Sequence, residues 1–533
     1  MSTNHAFTCP HCGGPVAYDP AIDAMNCPYC DSIISVEDYR EFLEPHGRLL
    51  LNELSCPQCG AQLLTTDVTT ATFCSYCGSS VALTSRLVEE DRPDKIIPFK
   101  VSKKRAETIY RDKIHKTLLA PDWMESEENT SHFRGIYMPF HIFRYGWKGN
   151  WEGEASETSV RRIKGVDYDV TRTYDTGAKV IVNYDYIPQD ASTAFPDAMS
   201  RAVCPYNRKN ERDFELPYYA GYYADRGDVD STLYQDKFAA LVKGDVAAKG
   251  TIHCGKVNVS AAKATEAMQL EASTKRAMFP VWFLSMRNKD RVNYACVNGD
   301  TGELVCDIPI DFKKYLKAAV ILAGVLSILL NLFLTLKPNH LLVFTALLAL
   351  IAFVVANGLL NDTYRRVKRW DDPGYTGVDV DKVVQQRRIS LFIQAMGKII
   401  LVTALSFAAI TLLAVLEVSE DILALLITGM LFFWIGYGVW AIVKAVSSKG
   451  GMRTARKNAP AWYKAFVLAK PVLAFAAAAL LIALFPSVDE YCYAGAIFGI
   501  VMIIWTAFDV VRTQNRFTMR DLPLFNEKRG GEA

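Results

Sequence analysis

The sequence Cys9-Pro-His-Cys12, followed by Cys27-Pro-Tyr-Cys30, is the first of two copies of one cysteine pattern. The second copy is Cys56-Pro-Gln-Cys59 with Cys74-Ser-Tyr-Cys77, and each cysteine lies 47 positions after its counterpart. In both copies 14 residues separate the inner cysteines. Two Cys-x-x-Cys turns joined by a short hairpin place four thiolates around one tetrahedral metal ion, as in zinc ribbons. The spacing therefore predicts two Zn²⁺ ions, bound by these eight cysteines.

A zinc site with four cysteine ligands has no open coordination position, so its role is structural rather than catalytic. The alternative of disulfides needs an oxidising compartment, which nothing in the sequence indicates. His11, between two ligands, is expected to be an exposed turn residue rather than a fifth ligand. The sequence contains no phosphate-binding loop of the G-x-x-x-x-G-K-[ST] type, no G-x-S-x-G elbow and no H-E-x-x-H helix. We therefore predict that the protein is not an enzyme.

Charge is distributed unevenly along the chain, although its net charge is only +2. Residues 1–90 contain 3 Lys+Arg and 11 Asp+Glu, a net charge of −8, and residues 313–533 contain 24 basic and 14 acidic residues, a net charge of +10. Zinc-bound thiolates make the first segment still more negative. Nucleic-acid binding depends on cations placed against phosphates, so the acidic ribbons disfavour that partner and favour a basic protein surface.

The last part of the chain contains six apolar stretches, each long enough to cross a hydrocarbon core about 30 Å thick. The predicted spans are 315–336, 341–360, 399–417, 422–443, 466–485 and 491–511. The loops after the second and fourth spans are rich in Lys and Arg, whereas the other connections are short and together contain a single Lys. Because basic loops stay on the cytoplasmic side, we predict a multi-pass inner-membrane protein with both termini in the cytoplasm.

Ionisable residues are scarce inside the predicted spans, which weakens the case for transport. Those present lie near the estimated ends of the spans, where a side chain can extend to the membrane interface. They are Lys398, Glu417, Lys444, Lys470 and Asp509. The segment Gly495-Ala-Ile-Phe-Gly499 matches a small-xxx-small pattern and indicates close helix packing.

Residues 91–312 are predicted to form a cytosolic α+β domain. Helices are expected at 100–119, opening near Ser102, and at 231–242. Aromatic and β-branched strands are expected at 135–153, 166–187 and 268–296. Two segments, Met138-Pro-Phe-His-Ile-Phe143 and Phe279-Pro-Val-Trp-Phe-Leu284, are alike and are expected in one sheet. The domain organisation is thus ribbon 1 at 1–47, ribbon 2 at 48–90, this domain, and a membrane region at 313–533.

Several segments recur in this order in one group of proteins: Phe73-Cys-Ser-Tyr-Cys-Gly-Ser79, Ile96-Ile-Pro-Phe-Lys100, Gly135-Ile-Tyr-Met-Pro-Phe140, Pro280-Val-Trp-Phe-Leu284 and Asn298-Gly-Asp-Thr-Gly-Glu303. The chain resembles bacterial membrane-attached proteins with TFIIB-type zinc ribbons, often labelled as primosomal helicases of the PriA type. The resemblance implies zinc and a membrane location and identifies no catalytic residue. His141 and Arg144 depart from the group, which usually has Trp and Asp there.

The sequence therefore predicts a membrane-anchored, non-enzymatic adaptor or scaffold that recruits protein partners. Pro10, Pro28, Tyr29, Pro57 and Tyr76 are expected to be exposed at the ribbon tips. One alternative is a transporter or channel with a regulatory zinc-binding half. Another is a nucleic-acid-binding protein related in its ribbons to replication-restart helicases, without motor activity. A homo-oligomer is compatible with each of these roles.

Overall fold

The structure is a computed structural model. It describes residues 7–40, 48–66, 73–81, 83–163, 166–254, 257–260, 262–265, 268–288, 291–333, 338–370, 461–484, 488–523 and 525. The described part comprises a head, which contains both cysteine copies and a large sheet, and a set of long apolar helices.

The strands and helices are numbered here in chain order among the described residues. The strands are β1 Ala17–Asp19, β2 Ala24–Asn26, β3 Ile33–Ile34, β4 Arg48–Ser55, β5 Gln62–Thr65, β6 Thr84–Asp91, β7 Lys95–Ile96, β8 Arg134–Ile163, β9 Val166–Asp190, β10 Arg212–Asp213, β11 Tyr223–Asp225, β12 Thr251–Cys254, β13 Val257–Ser260, β14 Glu271–Asn288, β15 Arg291–Asn298, β16 Leu304–Cys306 and β17 Arg520–Asp521. The helices are α1 Val36–Arg40, α2 Lys103–His115, α3 Glu127–Thr130, α4 Asp197–Ala202, α5 Thr232–Lys249, α6 Ala262–Thr265, α7 Phe312–Phe333, α8 Pro338–Trp370, α9 Ala461–Leu484 and α10 Asp489–Thr518.

A 12-stranded sheet forms the centre of the head, and its main order is β10-β7-β14-β8-β11-β5-β4-β6. β14 and β8 pair antiparallel, with Phe279 opposite Met138 and Pro280 opposite Tyr137. The two segments that look alike in the sequence are therefore neighbours in one sheet, as predicted. Neither proline has a backbone donor, but both carbonyls accept a hydrogen bond, that of Pro139 from Ala191 and that of Pro280 from Gly299.

The second cysteine copy is built into this sheet. β4 and β5 pair with each other, β4 pairs with β6, and β5 pairs with β11 of the central domain. The predicted domain boundary at residue 90 falls inside β6. The second ribbon and the α+β domain thus share one continuous sheet, and the first ribbon has its own three-stranded sheet of β1, β2 and β3.

Aromatic side chains fill the core of the head. Phe99 lies at its centre, stacked on Tyr222 with ring centroids 4.4 Å apart and edge-on to Tyr137 at 5.0 Å. Helix α2 closes one side and begins at Ser102, whose hydroxyl accepts a hydrogen bond from the Arg105 amide. This start agrees with the predicted helix, because a serine N-cap satisfies one of the free amide groups of the first turn.

Three described helices are long and apolar enough to cross a membrane, and they cover His340–Tyr364, Tyr463–Ile482 and Asp489–Thr518. They correspond to the second, fifth and sixth predicted spans. The first predicted span begins within α7, and the third and fourth lie outside the described residues. Membrane association is therefore supported by these three helices, whereas the number of six spans stays a prediction.

The apolar helices are attached to the head at one end. Asn515, near the end of α10, exchanges two hydrogen bonds with the backbone of Ile310, both 2.7 Å long. Lys314, at the start of α7, donates to the carbonyl of Ala120 and forms an ion pair with Asp122 at 2.6 Å. The beginning of the first helix and the end of the last one therefore lie against the same domain.

Candidate metal centres

The structure brings each cysteine copy together as a four-sulfur cluster, within which all ligand atoms lie within 4.8 Å of one another. In the first cluster the Sγ atoms of Cys9 and Cys30 are 3.6 Å apart, and those of Cys12 and Cys27 are 3.5 Å apart. Zn–S bonds of about 2.3 Å in a tetrahedron place the sulfurs about 3.8 Å apart. The first cluster therefore has the dimensions of a zinc tetrathiolate.

The second cluster has the same geometry. Its Sγ distances are 3.8 Å between Cys56 and Cys77 and 3.7 Å between Cys59 and Cys74. Both clusters could hold a metal ion, and four soft thiolates fit zinc. A bound ion would cross-link the two Cys-x-x-Cys turns of its ribbon and would accept no further protein ligand.

The turns are shaped by the residue that follows each Cys-x-x-Cys sequence. This residue has a positive φ in all four turns: Gly13 at 75°, Asp31 at 53°, Gly60 at 74° and Gly78 at 66°. The amide of the same residue donates to the carbonyl of the first cysteine of the turn, as Gly60 does to Cys56 at 2.8 Å. Glycine suits three of these positions because a Cβ atom disfavours this conformation.

A serine hydroxyl lies beside one sulfur in each cluster. Ser32 Oγ is 3.1 Å from Cys30 Sγ, and Ser79 Oγ, 47 residues later, is 2.7 Å from Cys77 Sγ. The hydrogen bond from Ser32 lowers the pKa of the Cys30 thiol to about 6. Each serine therefore stabilises the thiolate form that a metal ion requires.

The two clusters differ strongly in solvent exposure. In the first cluster Cys9 and Cys27 are buried, while Cys12 and Cys30 are exposed. In the second cluster all four cysteines are buried. Equal spacing in the sequence therefore produces one accessible metal site and one enclosed metal site.

The first ribbon is docked on the segment that precedes β11. The Asp23 carboxylate accepts two hydrogen bonds from the Arg212 guanidinium, at 2.6 and 3.2 Å. Tyr18 packs edge-on against Tyr218 with ring centroids 5.1 Å apart, and its amide donates to the Ala220 carbonyl at 3.1 Å. These contacts hold the hairpin side of the ribbon and leave its metal side open.

The second ribbon is covered by two other parts of the chain. Arg287, from β14, donates to Ser79 Oγ at 3.0 Å, which places a cation near the thiolates. Residues after α10 pass over the opposite side, where β17 pairs with β15 and the Phe525 amide donates to the Cys59 carbonyl at 2.8 Å. The Phe525 ring packs edge-on against Tyr76 at 5.8 Å.

The expectation that all five ribbon-tip residues are exposed is wrong for Tyr76, which is completely buried. It lies between Phe283 and Phe525, and its carbonyl accepts a hydrogen bond from the Tyr294 hydroxyl at 2.8 Å. Pro10, Pro28, Tyr29 and Pro57 are exposed as predicted, and so is His11. Tertiary packing against segments far away in the sequence caused the difference at Tyr76.

In the part of the head that the structure describes, the remaining candidate residues form no further cluster of metal ligands. Cys296 is completely buried in β15 and behaves as a small apolar residue. His141 is largely buried, and its Nε2 atom is 2.8 Å from the Val229 carbonyl. Burial lowers the pKa of this histidine. It lines a cleft with Asp228 and Asp230, but among the described residues it belongs to no cluster of three or more potential metal ligands.

The expectation that Lys470 and Asp509 reach the membrane interface is wrong. They form an ion pair with each other between α9 and α10, and both residues are buried. The Lys470 ammonium also lies 4.3 Å from the ring centre of Phe466 and 4.5 Å from that of Trp505. The attraction between the two charges compensates for the hydration that each of them loses on burial. Lys398, Glu417 and Lys444 lie outside the described residues.

Sequence reasoning missed Ser32, Ser79 and Phe525 as parts of the metal centres. The first two were detectable, because the 47-residue offset that relates the cysteines also relates these serines. Phe525 carried no such signal. Its role depends on a contact between the two ends of the chain.

The fold and the clusters define a membrane-associated protein with two four-cysteine, zinc-ribbon-like sites in a head containing a large β-sheet. No family model matches the chain, so nothing supports the finer TFIIB-type or PriA-type labels, and no solved structure matches it. The chain is 31% identical over 321 residues to the uncharacterized protein YdjG of Bacillus subtilis strain 168, which covers 58% of this chain and 91% of that protein. The chain belongs to the same family as YdjG.

Proposed function

We propose that this protein is a membrane-anchored, non-enzymatic adaptor that holds two Zn²⁺ ions and recruits protein partners to the cytoplasmic face of the inner membrane. The observation that carries the proposal is the unequal exposure of two otherwise equivalent ribbons. The second ribbon is enclosed by the sheet and by the segment that follows α10. The first ribbon has an exposed metal side, and Tyr29 at its tip is 72% exposed.

This division gives the two ribbons different tasks. The enclosed ribbon joins the head to the last apolar helix, and the exposed ribbon presents a rigid surface. A closed zinc site is suited to this use, because the metal fixes the shape of a module too small to own a large core. An adaptor needs only such a surface and an anchor, and it needs no reacting group.

We further propose six membrane spans with both termini in the cytoplasm. The start of α7 and the end of α10 are both attached to the head. If the helices between them cross a membrane, the number of crossings must be even. Six spans satisfy this condition, and the basic loops of the predicted topology then lie on the same side as the head.

Proximity labelling from an enzyme fused before Met1 tests the adaptor role. The wild-type chain is compared with a variant in which Cys9, Cys12, Cys27 and Cys30 are replaced by serine. We expect the variant to remain in the membrane and to lose a defined set of labelled proteins. The exposed Tyr168→Ala change, on the β8–β9 hairpin, is the control and should preserve the set. An identical set in all three proteins would refute the proposal.

A second candidate function, transport, is favoured by the buried pair of Lys470 and Asp509. Ionisable groups within membrane helices often mark ion or substrate pathways. In the described helices this pair is mutually neutralised and surrounded by aromatic rings, which suits a structural role equally well. Replacing both residues together, as Lys470→Met with Asp509→Leu, separates the two roles.

The double variant removes the charges and retains apolar volume, so a structural pair should be replaceable with little loss of stability. The single change Lys470→Ala should be harmful, because it leaves Asp509 buried without its cation. Solute flux in proteoliposomes that is present in the wild type and absent in a stable double variant would establish transport instead of the adaptor role.

A further inference from the structure

The two ribbons have equal cysteine spacing, so each position of the first ribbon has a counterpart in the second. The contacts of the second ribbon can therefore be used to predict contacts of the first. At an offset of 47, Cys59 corresponds to Cys12 and Tyr76 corresponds to Tyr29. The second ribbon uses both residues to bind Phe525, through the Cys59 carbonyl and the Tyr76 ring. It therefore binds a distant segment of the chain through one backbone hydrogen bond and one aromatic contact.

The corresponding surface of the first ribbon is open. Cys12 is exposed, and Tyr29 is 72% exposed, whereas Tyr76 is completely buried. The covered face of the Tyr29 ring lies against the backbone of Gly14. A Cβ atom added to Gly14 would be only 2.9 Å from Tyr29 Cδ2.

Charge indicates the chemistry of the partner. Residues 7–40 contain one basic residue, Arg40, and five acidic residues: Asp19, Asp23, Asp31, Glu37 and Asp38. A zinc ion with four thiolates adds roughly two further negative charges. Of the acidic residues, Asp23 is neutralised by Arg212. Asp31, two residues after Tyr29, and the thiolates of the cluster make the tip of the ribbon negative, which favours a cationic segment.

We propose that the first ribbon binds a basic segment of a partner protein that carries an aromatic residue. The aromatic ring packs on Tyr29, the backbone amide of the same residue donates to the Cys12 carbonyl, and neighbouring Lys or Arg side chains face the acidic surface. This inference rests on the proposed adaptor function and specifies how the adaptor binds its partner.

A peptide binding experiment tests this mode on the full-length, zinc-loaded protein in detergent. The probe is a fluorescent peptide, Thr-Met-Arg-Lys-Leu-Pro-Leu-Phe-Asn-Lys-Lys, which copies residues 518–528 with Asp521 and Glu527 replaced by lysine. A second probe has Ala in place of Phe. Binding is measured by fluorescence anisotropy at low and high salt.

We expect the Phe probe to bind the wild-type protein, and its affinity to fall at high salt because the contact is partly electrostatic. Replacing Phe by Ala in the probe, or Tyr29→Ala in the protein, should each weaken binding at least about tenfold, as expected for an aromatic anchor. Tyr168→Ala should bind as the wild type does. Equal affinity of the probe for Tyr29→Ala and for the wild type would overturn the proposal. That result is expected if the probe displaces Phe525 and binds the second ribbon instead.

Two further results distinguish this inference from the adaptor function. In the first, the Tyr29→Ala strain labels the same proteins as the wild type, whereas the four-serine variant loses them. This result would support the adaptor function and refute the binding mode. Conversion of an oligomer into monomers by Tyr29→Ala, measured by sedimentation, would show that the surface is occupied by a second copy of the chain and would also refute it.

Discussion

Cys12 and Cys59 occupy equivalent positions, yet Cys12 is exposed and Cys59 is buried. A chelator reaches an exposed thiolate-bound ion directly, whereas an enclosed ion is released only when the surrounding structure opens. Accessibility of individual ligands, and not their chemical type, therefore distinguishes the two metal centres.

We predict that a chromogenic chelator removes the two Zn²⁺ ions from the native protein in two separate phases. The fast phase should come from the first cluster and the slow phase from the second, because only the first has exposed ligands. Cys12→Ser should abolish the fast phase and leave the slow phase unchanged. A single phase that releases both ions would contradict the assignment.

A second prediction concerns Asp225, a completely enclosed carboxyl group at the junction of β11 and the second ribbon. Burial, assisted by the charge of Asp228 and opposed by the hydrogen bond from Ser192, raises the pKa of Asp225 from 3.8 to about 7. Between these values the folded state keeps a proton that the unfolded state releases. The contribution of Asp225 to the free energy of unfolding is therefore fully present below the unfolded pKa. It declines as the pH rises toward 7.

Each unit of pKa difference corresponds to about 1.4 kcal/mol, so this decline amounts to a few kcal/mol. Asp225→Asn cannot ionise, and it should be more stable relative to the wild type at pH 8 than at pH 5. Thermal unfolding of both proteins at the two pH values checks this. A wild-type to variant difference that does not change with pH would show that Asp225 ionises normally in the folded state.

At the scale of helices and strands, α10 packs closely on its neighbours through the glycines of the small-xxx-small segment. A Cβ atom at Gly499 would lie 2.5 Å from Thr345 Cγ2 of α8, and one at Gly495 would lie 3.0 Å from Leu342 Cδ1 of the same helix. The sequence pattern therefore marked a true helix contact. Small residues permit such close approach of helix backbones.

We predict that Gly499→Leu destabilises the packing of α8 against α10 by about 1–3 kcal/mol, the usual effect of overfilling a packed interface. Gly324→Leu is the matched control, because Gly324 on α7 has no atom within 4 Å of an added Cβ in the described structure. The temperature at which the protein unfolds in detergent should fall for Gly499→Leu and should stay unchanged for Gly324→Leu. Equal effects would mean that the glycine contact is unimportant.

Local patterns predicted the elements well and their partners less well. Ser102, the aromatic strands and the two cysteine copies depend on neighbouring residues, and the structure has them where the sequence placed them. Tyr76, Lys470 and Asp509 were misjudged for one common reason. Each is covered or paired by a segment distant in sequence, and no periodicity or spacing reports such a contact.

At the scale of the whole molecule, residues 520–525 connect the last apolar helix to the second ribbon. Arg520 lies over the Tyr294 ring at 5.3 Å and is paired with Asp307 at 3.4 Å, and Phe525 reaches the ribbon itself. The N-terminal and C-terminal parts of the chain therefore form the second metal centre together.

We predict that ending the chain after Met519 exposes the second cluster, so that its zinc is removed by a chelator at a rate approaching that of the first cluster. The head should also unfold at a lower temperature, because Tyr76 loses the Phe525 ring. A chain that ends after Phe525 is the control and should behave like the full-length protein. Unchanged zinc release from the shorter chain would show that residues 520–525 do not protect the site.

The contact between Phe525 and Cys59 also affects how the protein is made. Ribosomes add about 5–20 residues per second, so roughly 450 residues must follow Cys77 before Phe525 emerges, a delay of about 20–90 s. During this time the cysteines of the second ribbon exist without their final cover and can take up metal. Translation of the last residues then closes the site, so that only chains with a completed membrane region retain a protected ion.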